Sequence, residues 1–391
     1  MVIQALGIVY GGTSKIVIEL SEALGKLGIS IDIVSTNANG KTLLDVPLNQ
    51  WITKTYCRVQ YFSYLDFLDY KFSLPMSQWL LTHVHDYDVV HTHGIFSFPV
   101  LAAYWMCRLH KIPYIVTPHG MLEPWALAYK SWKKDAYFSF LEKPSLQKAS
   151  AIQMTASSEV KQIHKLKLNT KPIFVPNGIH GGDFASFPNS EIFYHQFPET
   201  QNKTLILFLG RIDPKKGLDL LAPAFAQVTQ NFSDTHLIIA GPDNTGFLPK
   251  AENYFIEAGC RESVTFTGML TGELKYAALA AAQIYVAPSY SEGFSMSVLE
   301  GMASGLPCII TTGCNFPEAK ANQAALEVEI NTQAIADGLL WCLNHPEEAK
   351  QMGEKGRQFI FENYTWDKIA AKLVKAYQSI IDPKERSNFL N

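Results

Sequence analysis

Eleven short apolar runs separated by longer amphipathic stretches constrain this chain more than any other feature. In the first half they are Ile3–Ile8, Ser30–Ser35, Val89–His91, Tyr114–Thr117, Ala151–Met154 and Ile173–Pro176. In the second half they are Leu205–Leu209, His236–Ala240, Val264–Thr267, Ile284–Ala287 and Pro307–Ile310. Short apolar runs alternating with helix-length segments are the pattern of parallel sheets covered by helices. Several runs end at Gly, Pro, His or Asn, and ligand sites of open α/β sheets gather outside the carboxyl ends of strands. At 391 residues the chain exceeds what one core usually supports, so two domains are expected. Gly181-Gly-Asp-Phe184 and the polar stretch with Pro188 and Pro198 put their boundary near 183–203. The expected domains are therefore 1–190 and 200–365. The last helix, Trp366 to about Ile381, carries a one-sided stripe of Ile369, Leu373, Ala376, Tyr377 and Ile380.

Charge and cysteine usage exclude several function classes. Residues 1–185 carry 17 Lys and Arg against 13 Asp and Glu, and the remainder 16 against 23. That balance lacks the strong basic face of a nucleic-acid binder but leaves room for weak attraction to acidic lipids. The cysteines at 57, 107, 260, 308, 314 and 342 show no framework spacing, so a reduced, cytoplasmic setting is expected. The long uncharged run 301–317 is interrupted by Gly301, Gly305, Pro307, Gly313 and Pro317 and does not read as a membrane span. The first residues lack the charged and apolar regions of a secretory signal.

The most informative segment is Pro288–Ile310. It sets Glu292 on a loop and Glu300 about one turn inside a helix beginning near Ser295. The N–H groups of Gly293, Phe294 and Ser295 would face outward at the helix start, where the backbone partial charge favours an anion. Two acids able to accept hydroxyl hydrogen bonds, beside a phosphate-binding helix end, suit a sugar nucleotide. Arg211 and Lys216, after another apolar run, would clamp a diphosphate, Arg through its planar fork and Lys as a point charge. The alternative for that pair is a solvated turn.

This pattern resembles the Glu-x7-Glu signature of the family 4 retaining glycosyltransferases, which have the GT-B fold. Further blocks stand in the family's order along nearly the whole chain: Tyr10-Gly-Gly-Thr13, Asp88-Val-Val-His-Thr-His-Gly94, Thr117-Pro-His-Gly120, Pro176-Asn-Gly178, Gly210-Arg-Ile-Asp-Pro-Lys-Lys-Gly217 and Ile239-Ala-Gly241. The resemblance implies two Rossmann-like doubly wound parallel-sheet domains facing a cleft, with the terminal helix, about 366–391, packing back on the first. It implies transfer of a hexose from a UDP- or GDP-sugar, with retention, to a hydroxyl of a glycan or lipid-linked acceptor, without metal or other cofactor. Glu300 would hold the ribose and Glu292 the sugar hydroxyls, while Arg211 and Lys216 hold the leaving diphosphate. Gly11, Gly12, Gly241, Gly293, Phe294 and Ser295 would complete the donor site, and His119 would contact the donor sugar near the reacting carbon. A structural histidine capping a loop is the other reading of His119.

Two departures qualify the match. Gly11 follows after only ten residues, so either the first strand is short or the natural start lies upstream. His180 stands where an Asp often follows Asn177-Gly178, and Asn177 itself reads as a left-handed turn residue.

Three other features have two readings each. His83, His85, His91 and His93 with Asp86 and Asp88 suggest a metal, and Asp86-Tyr-Asp88 spells the Asp-x-Asp of metal-dependent transferases. Both acids precede their strand, at the wrong end for the site, so no metal is expected. Trp125–Lys148, with Lys130, Trp132, Lys133, Lys134, Tyr137, Phe138, Phe140, Lys143 and Lys148, reads as an interfacial or acceptor-lipid surface or as an ordinary half-buried helix. The aromatic run Tyr61–Phe72 invites the same pair. Peripheral contact with the inner membrane face in polysaccharide, lipopolysaccharide or glycolipid synthesis follows by analogy. The alternatives in function are a nucleotide-sugar epimerase on the same fold and a non-catalytic nucleotide-sugar-binding subunit.

Overall fold

The structure is a computed structural model that describes residues 1–67, 70–124, 127 and 136–382. The chain divides into two compact units, Met1–Gly178 with the segment from Trp366, and Ile179–Thr365.

The first unit is built on an eight-stranded sheet. Its strands are β1 (Val2–Ala5), β2 (Asp32–Thr36), β3 (Trp51–Thr53), β4 (Arg58–Phe62), β5 (Val90–His93), β6 (Tyr114–Thr117), β7 (Ala151–Met154) and β8 (Pro172–Phe174), in the order β8-β7-β6-β5-β1-β2-β4-β3. All neighbours are parallel except β3, which runs antiparallel to β4 at the edge. The order reverses between β5 and β1, so the chain leaves these two strands in opposite directions and opens a crevice at their carboxyl ends. Helices α1 (Gly12–Lys26), α2 (Leu74–His83) and α3 (Phe98–His110) cover the sheet. Ser73 and Ser97 cap α2 and α3 by accepting from the N–H groups of Met76 and Val100, and a proline in the first turn of each supplies a preset φ.

The second unit holds a six-stranded, all-parallel sheet. Its strands are β9 (Thr204–Leu209), β10 (Thr235–Ala240), β11 (Val264–Gly268), β12 (Ile284–Ala287), β13 (Cys308–Thr311) and β14 (Leu326–Val328), ordered β11-β10-β9-β12-β13-β14. Alternation along β9 feeds both faces: Leu205, Leu207 and Leu209 enter one core, while Ile206 and Phe208 enter the other. Each such side chain contributes roughly 1.5–3 kcal/mol by burial, which is why the run is apolar at every position. The reversal here lies between β9 and β12. Helices α4 (Leu218–Asn231), α5 (Gly272–Ala281) and α6 (Met296–Ala303) follow β9, β11 and β12.

The terminal helix α7 (Trp366–Ile381) belongs to the first unit, where Trp366 Nε1 donates to Glu19 Oε2 of α1 at 2.8 Å. Its buried face is Trp366, Ile369, Ala370, Leu373, Ala376 and Tyr377.

Several sequence expectations need correction. The boundary expected near 183–203, between domains 1–190 and 200–365, falls instead between Gly178 and Ile179, and 183–203 is part of the second unit, holding the helix Glu191–Gln196 with Phe184 and Phe193 buried in its core. Single buried aromatics anchor it without any periodicity. Tyr61–Phe72 is not helical: it is the end of β4 followed by a hairpin of Leu65–Phe67 and Tyr70–Phe72. Its aromatics favour strands, and β4 is completed by pairing that local sequence does not reveal. Within 125–148, the described part is a π-helical turn, Phe138–Glu142, running into a helix, Lys143–Lys148. Trp125, Lys130, Trp132, Lys133 and Lys134 lie outside the described residues. Asn177 is buried and does not take the left-handed conformation. β1 is short, four residues, and Ile8–Tyr10 forms a 3-10 turn before α1.

Candidate active site

In the second unit the loops leaving β9 and β12, the strands flanking the reversal, meet. Gly217 sits at φ 71°, and a Cβ there would lie 2.0 Å from the Pro288 carbonyl oxygen. Only glycine lets the Arg211–Gly217 turn seat against the Pro288 loop. Gly241, at the end of β10, is packed equally close to the Gly210 carbonyl and so supports the same turn from behind.

This seating joins two residues predicted separately. Lys216 Nζ donates to Glu292 Oε1 at 2.5 Å, and Ser289 Oγ donates to the same oxygen at 2.7 Å. Lys215 Nζ stands 4.0 Å from Glu292 Oε2. Burial alone would raise the Glu292 carboxyl, but the Lys216 and Lys215 charges and the Lys216 and Ser289 hydrogen bonds outweigh it and hold it below the ordinary carboxylate value. The loop is fixed on its other side, where Glu292 N–H donates to Gly313 O and Asn315 Nδ2 donates to Glu292 O. Arg211 is exposed and forms no salt bridge among the described residues. One cation is thus held in an ion pair while another stays open to solvent at the same turn.

Helix α6 begins at Met296 with Ser295 as N-cap, and no side chain caps it. Among the described residues none accepts from the N–H groups of Gly293, Phe294 or Ser295, so an incoming anion would meet open donors there. Phe294 contributes by its backbone, because its ring is committed to an aromatic cluster with Phe316 and Tyr364. Glu300, buried on α6, accepts from Lys275 Nζ on α5 at 2.9 Å.

In the first unit, Gly11 (φ 68°) caps α1 and Gly12 begins it, and an added Cβ at either would meet nothing within 4 Å. Gly12 is therefore not demanded by packing, and the space beside it is open to a ligand. His119 follows β6 in a left-handed conformation, φ 53°, uncommon outside glycine and typical of functional loops. Glu159 fixes that loop by accepting from the N–H groups of Gly120, Thr155 and Ala156 and from the Thr155 hydroxyl. His119 Nε2 lies 3.1 Å from His93 Nδ1 at the end of β5. Asp86 and Asp88 precede β5, at its other end. No cluster of metal-holding side chains occurs among the described residues.

Residues 10–180 match the family model described as Glycosyltransferase Family 4, and residues 190–359 match that of Glycosyl transferases group 1. The chain belongs to the family 4 glycosyltransferases. It is similar to the O-antigen chain mannosyltransferase C of Escherichia coli, 24% identical over 380 residues covering 96% of each chain. Among solved structures, sucrose-phosphate synthase from Thermosynechococcus elongatus superposes with a TM-score of 0.78 at 20% identity, over 97% of this chain and 98% of that one. Anabaena HepE in complex with UDP gives 0.76 at 15% identity, over 97% and 99%. These likenesses show the GT-B fold.

Residues of this family 4 glycosyltransferase that sequence reading missed are the supports Ser289, Lys215, Lys275 and Glu159; His93 was singled out only as a candidate metal ligand, and the structure sets it against His119 instead. Lys275 stands in no motif and Ser289 is a position of the Pro288–Ile310 segment with no role read from it; the neighbouring placement of α5 with α6 and of the β9 and β12 loops reveals both. The six cysteines are free, buried thiols. No helix among the described residues is long and apolar enough to cross a membrane.

The histidines give an acid-stability prediction. Burial lowers His119 to about 4 and puts His91 and His93 well below the ordinary 6.5. Below about pH 6.5 these three groups therefore bind more protons in the unfolded chain than in the folded one. The stability these groups contribute is complete above that pH and is lost as pH falls through the folded values. Urea unfolding at about pH 7 and about pH 5 should give a lower free energy at the acid value. Equal values at both would mean that these imidazoles are solvated.

Proposed function

We propose that this glycosyltransferase transfers a hexose from a UDP- or GDP-sugar to a hydroxyl of a glycan or lipid-linked acceptor, with retention and without a metal. The observation that carries the reading is the Lys216–Glu292 pair beside the exposed Arg211, where the turn after β9 meets the loop after β12. In this reading Arg211 and Lys216 take the leaving diphosphate, the open N–H groups at the start of α6 assist, Glu292 accepts from sugar hydroxyls, and Glu300 holds the ribose. The bond from the anomeric carbon to the diphosphate breaks as that to the acceptor oxygen forms on the same face. The acceptor proton passes to the departing diphosphate oxygen. Charge grows on the leaving group, so a cation already oriented by an ion pair, as Lys216 is, lowers the barrier without reorganising.

The O-antigen mannosyltransferase relative and the UDP complex of HepE support the donor and product classes. The lipid-linked option, with synthesis of polysaccharide, lipopolysaccharide or glycolipid at the inner membrane face, is supported by Leu65, Phe72, Leu74 and Phe140, large apolar side chains exposed on the first unit.

Thermal unfolding with UDP-, GDP- and ADP-sugars in the presence of a chelator tests this. The correct donor at about 100 times its Kd should add about 2.7 kcal/mol, less in Glu300→Ala. Absence of a shift with every donor, or a shift only on adding divalent metal, would overturn the reading as stated.

A further inference from the structure

His91 and His93, two residues apart on β5, share a strand face with rings stacked at 4.3 Å, and His93 stacks in turn on His119 at 5.3 Å. The proton position of the first ring follows from its partners. Gln153 Nε2 donates to Val175 O at 2.8 Å, so Gln153 Oε1 accepts the Thr117 hydroxyl proton at 3.0 Å. That hydroxyl has a single proton and is therefore an acceptor toward His91. His91 Nε2 must carry the hydrogen in their 2.6 Å contact, leaving His91 Nδ1 to accept from the Tyr377 hydroxyl at 2.7 Å.

The second ring decides the third. Of His93 Nδ1 and His119 Nε2, one must carry the shared proton. His93 Nε2 is buried and finds no partner among the described residues. A proton there would bury an N–H without a protein acceptor. A proton on Nδ1 leaves only a lone pair at Nε2, and orphaned buried N–H groups are the rarer kind. Desolvation, followed by the neighbouring imidazoles, keeps the His93 ring neutral, so it does not carry both protons.

We propose that His93 is a positioning residue that sets the tautomer of His119: His93 Nδ1–H donates to His119 Nε2, and His119 presents Nδ1–H as its remaining polar ring atom. His119 then meets its ligand as a hydrogen-bond donor, suited to the lone pair of a hydroxyl, carbonyl or phosphate oxygen. Through that atom it takes no proton. Only the consequence for transfer rests on the function proposed above; the tautomer does not.

Nitrogen NMR of the ligand-free full chain labelled at histidine reads this directly, with His119→Asn assigning the signal. In the wild type His119 should be protonated at Nδ1 and bare at Nε2. His93→Leu should return His119 to the Nε2–H form. His93→Asn, whose amide N–H replaces Nδ1–H, should preserve the wild-type form. With the donor found by the binding screen, His93→Leu should lower kcat about 10²-fold with KM little changed, and His93→Asn should recover most of it. An Nε2–H signal for His119 in the wild type, or the same tautomer in wild type and His93→Leu, overturns the proposal. If the tautomers are as stated but no sugar nucleotide is turned over, the transfer reading fails and this one stands.

Discussion

Lys216→Ala is expected to lower kcat by about 10²-fold, roughly 3 kcal/mol of transition-state stabilisation. Lys216 sits at the end of a 3-10 turn that Gly217 locks against the Pro288 loop, and its ammonium is aimed by Glu292. An ammonium held this way gains most when negative charge grows on the leaving diphosphate. Among the described residues the substitution also leaves buried Glu292 with Lys215, at 4.0 Å, as its one remaining cationic neighbour, which raises its carboxyl. Steady-state kinetics should therefore be run beside Lys216→Ala/Glu292→Gln, which removes the stranded charge. Both variants should stay slow if the cation acts on the leaving group. Near wild-type turnover in Lys216→Ala would remove Lys216 from the mechanism.

Glu292→Leu should destabilise the protein by about 3–5 kcal/mol, because it strands a buried ammonium and discards two hydrogen bonds. Lys216→Met/Glu292→Leu should recover much of that loss, since a buried ion pair contributes little net stability over a well-packed apolar pair. The double variant should nevertheless be inactive. Urea denaturation of the two variants checks the first part, and a single variant within about 1 kcal/mol of wild type would show that the pair is solvated. The sign with pH follows from the lowered Glu292 carboxyl. Its contribution is present above the ordinary value of 4.5 and is lost as pH falls through the lower folded value. Stability without turnover in the double variant would place the pair in function rather than in folding.

The strands that form the centre of both sheets were legible because they are buried on both faces, and such strands write themselves as continuous apolar runs. Tyr114–Thr117, Ala151–Met154 and Ile284–Ala287 fall where the runs predict them. Of the four edge strands, β8 and β11 were legible as apolar runs, but β3 and β14 were not. Each pairs on one side only, and the burial that marks a central strand is weak there. The helix start at Ser295 was readable for a local reason: the Gly293 loop and the apolar periodicity after it lie in one stretch of chain.

The sequence by itself determined the alternation of strands and helices, the ordered blocks that place the chain in its family, and the identity of Arg211, Lys216, Glu292 and Glu300 as site candidates. All of these are carried by residues close in sequence. Tertiary structure alone decided that Lys216 and Glu292, 76 positions apart, form one ion pair, that Lys275 reaches Glu300, and that His93 rather than solvent meets His119. The reason is that parallel strands joined by crossover helices bring distant loops together at one sheet edge. Hydrogen bonding acts over a few ångströms of space and leaves no periodic trace in the chain.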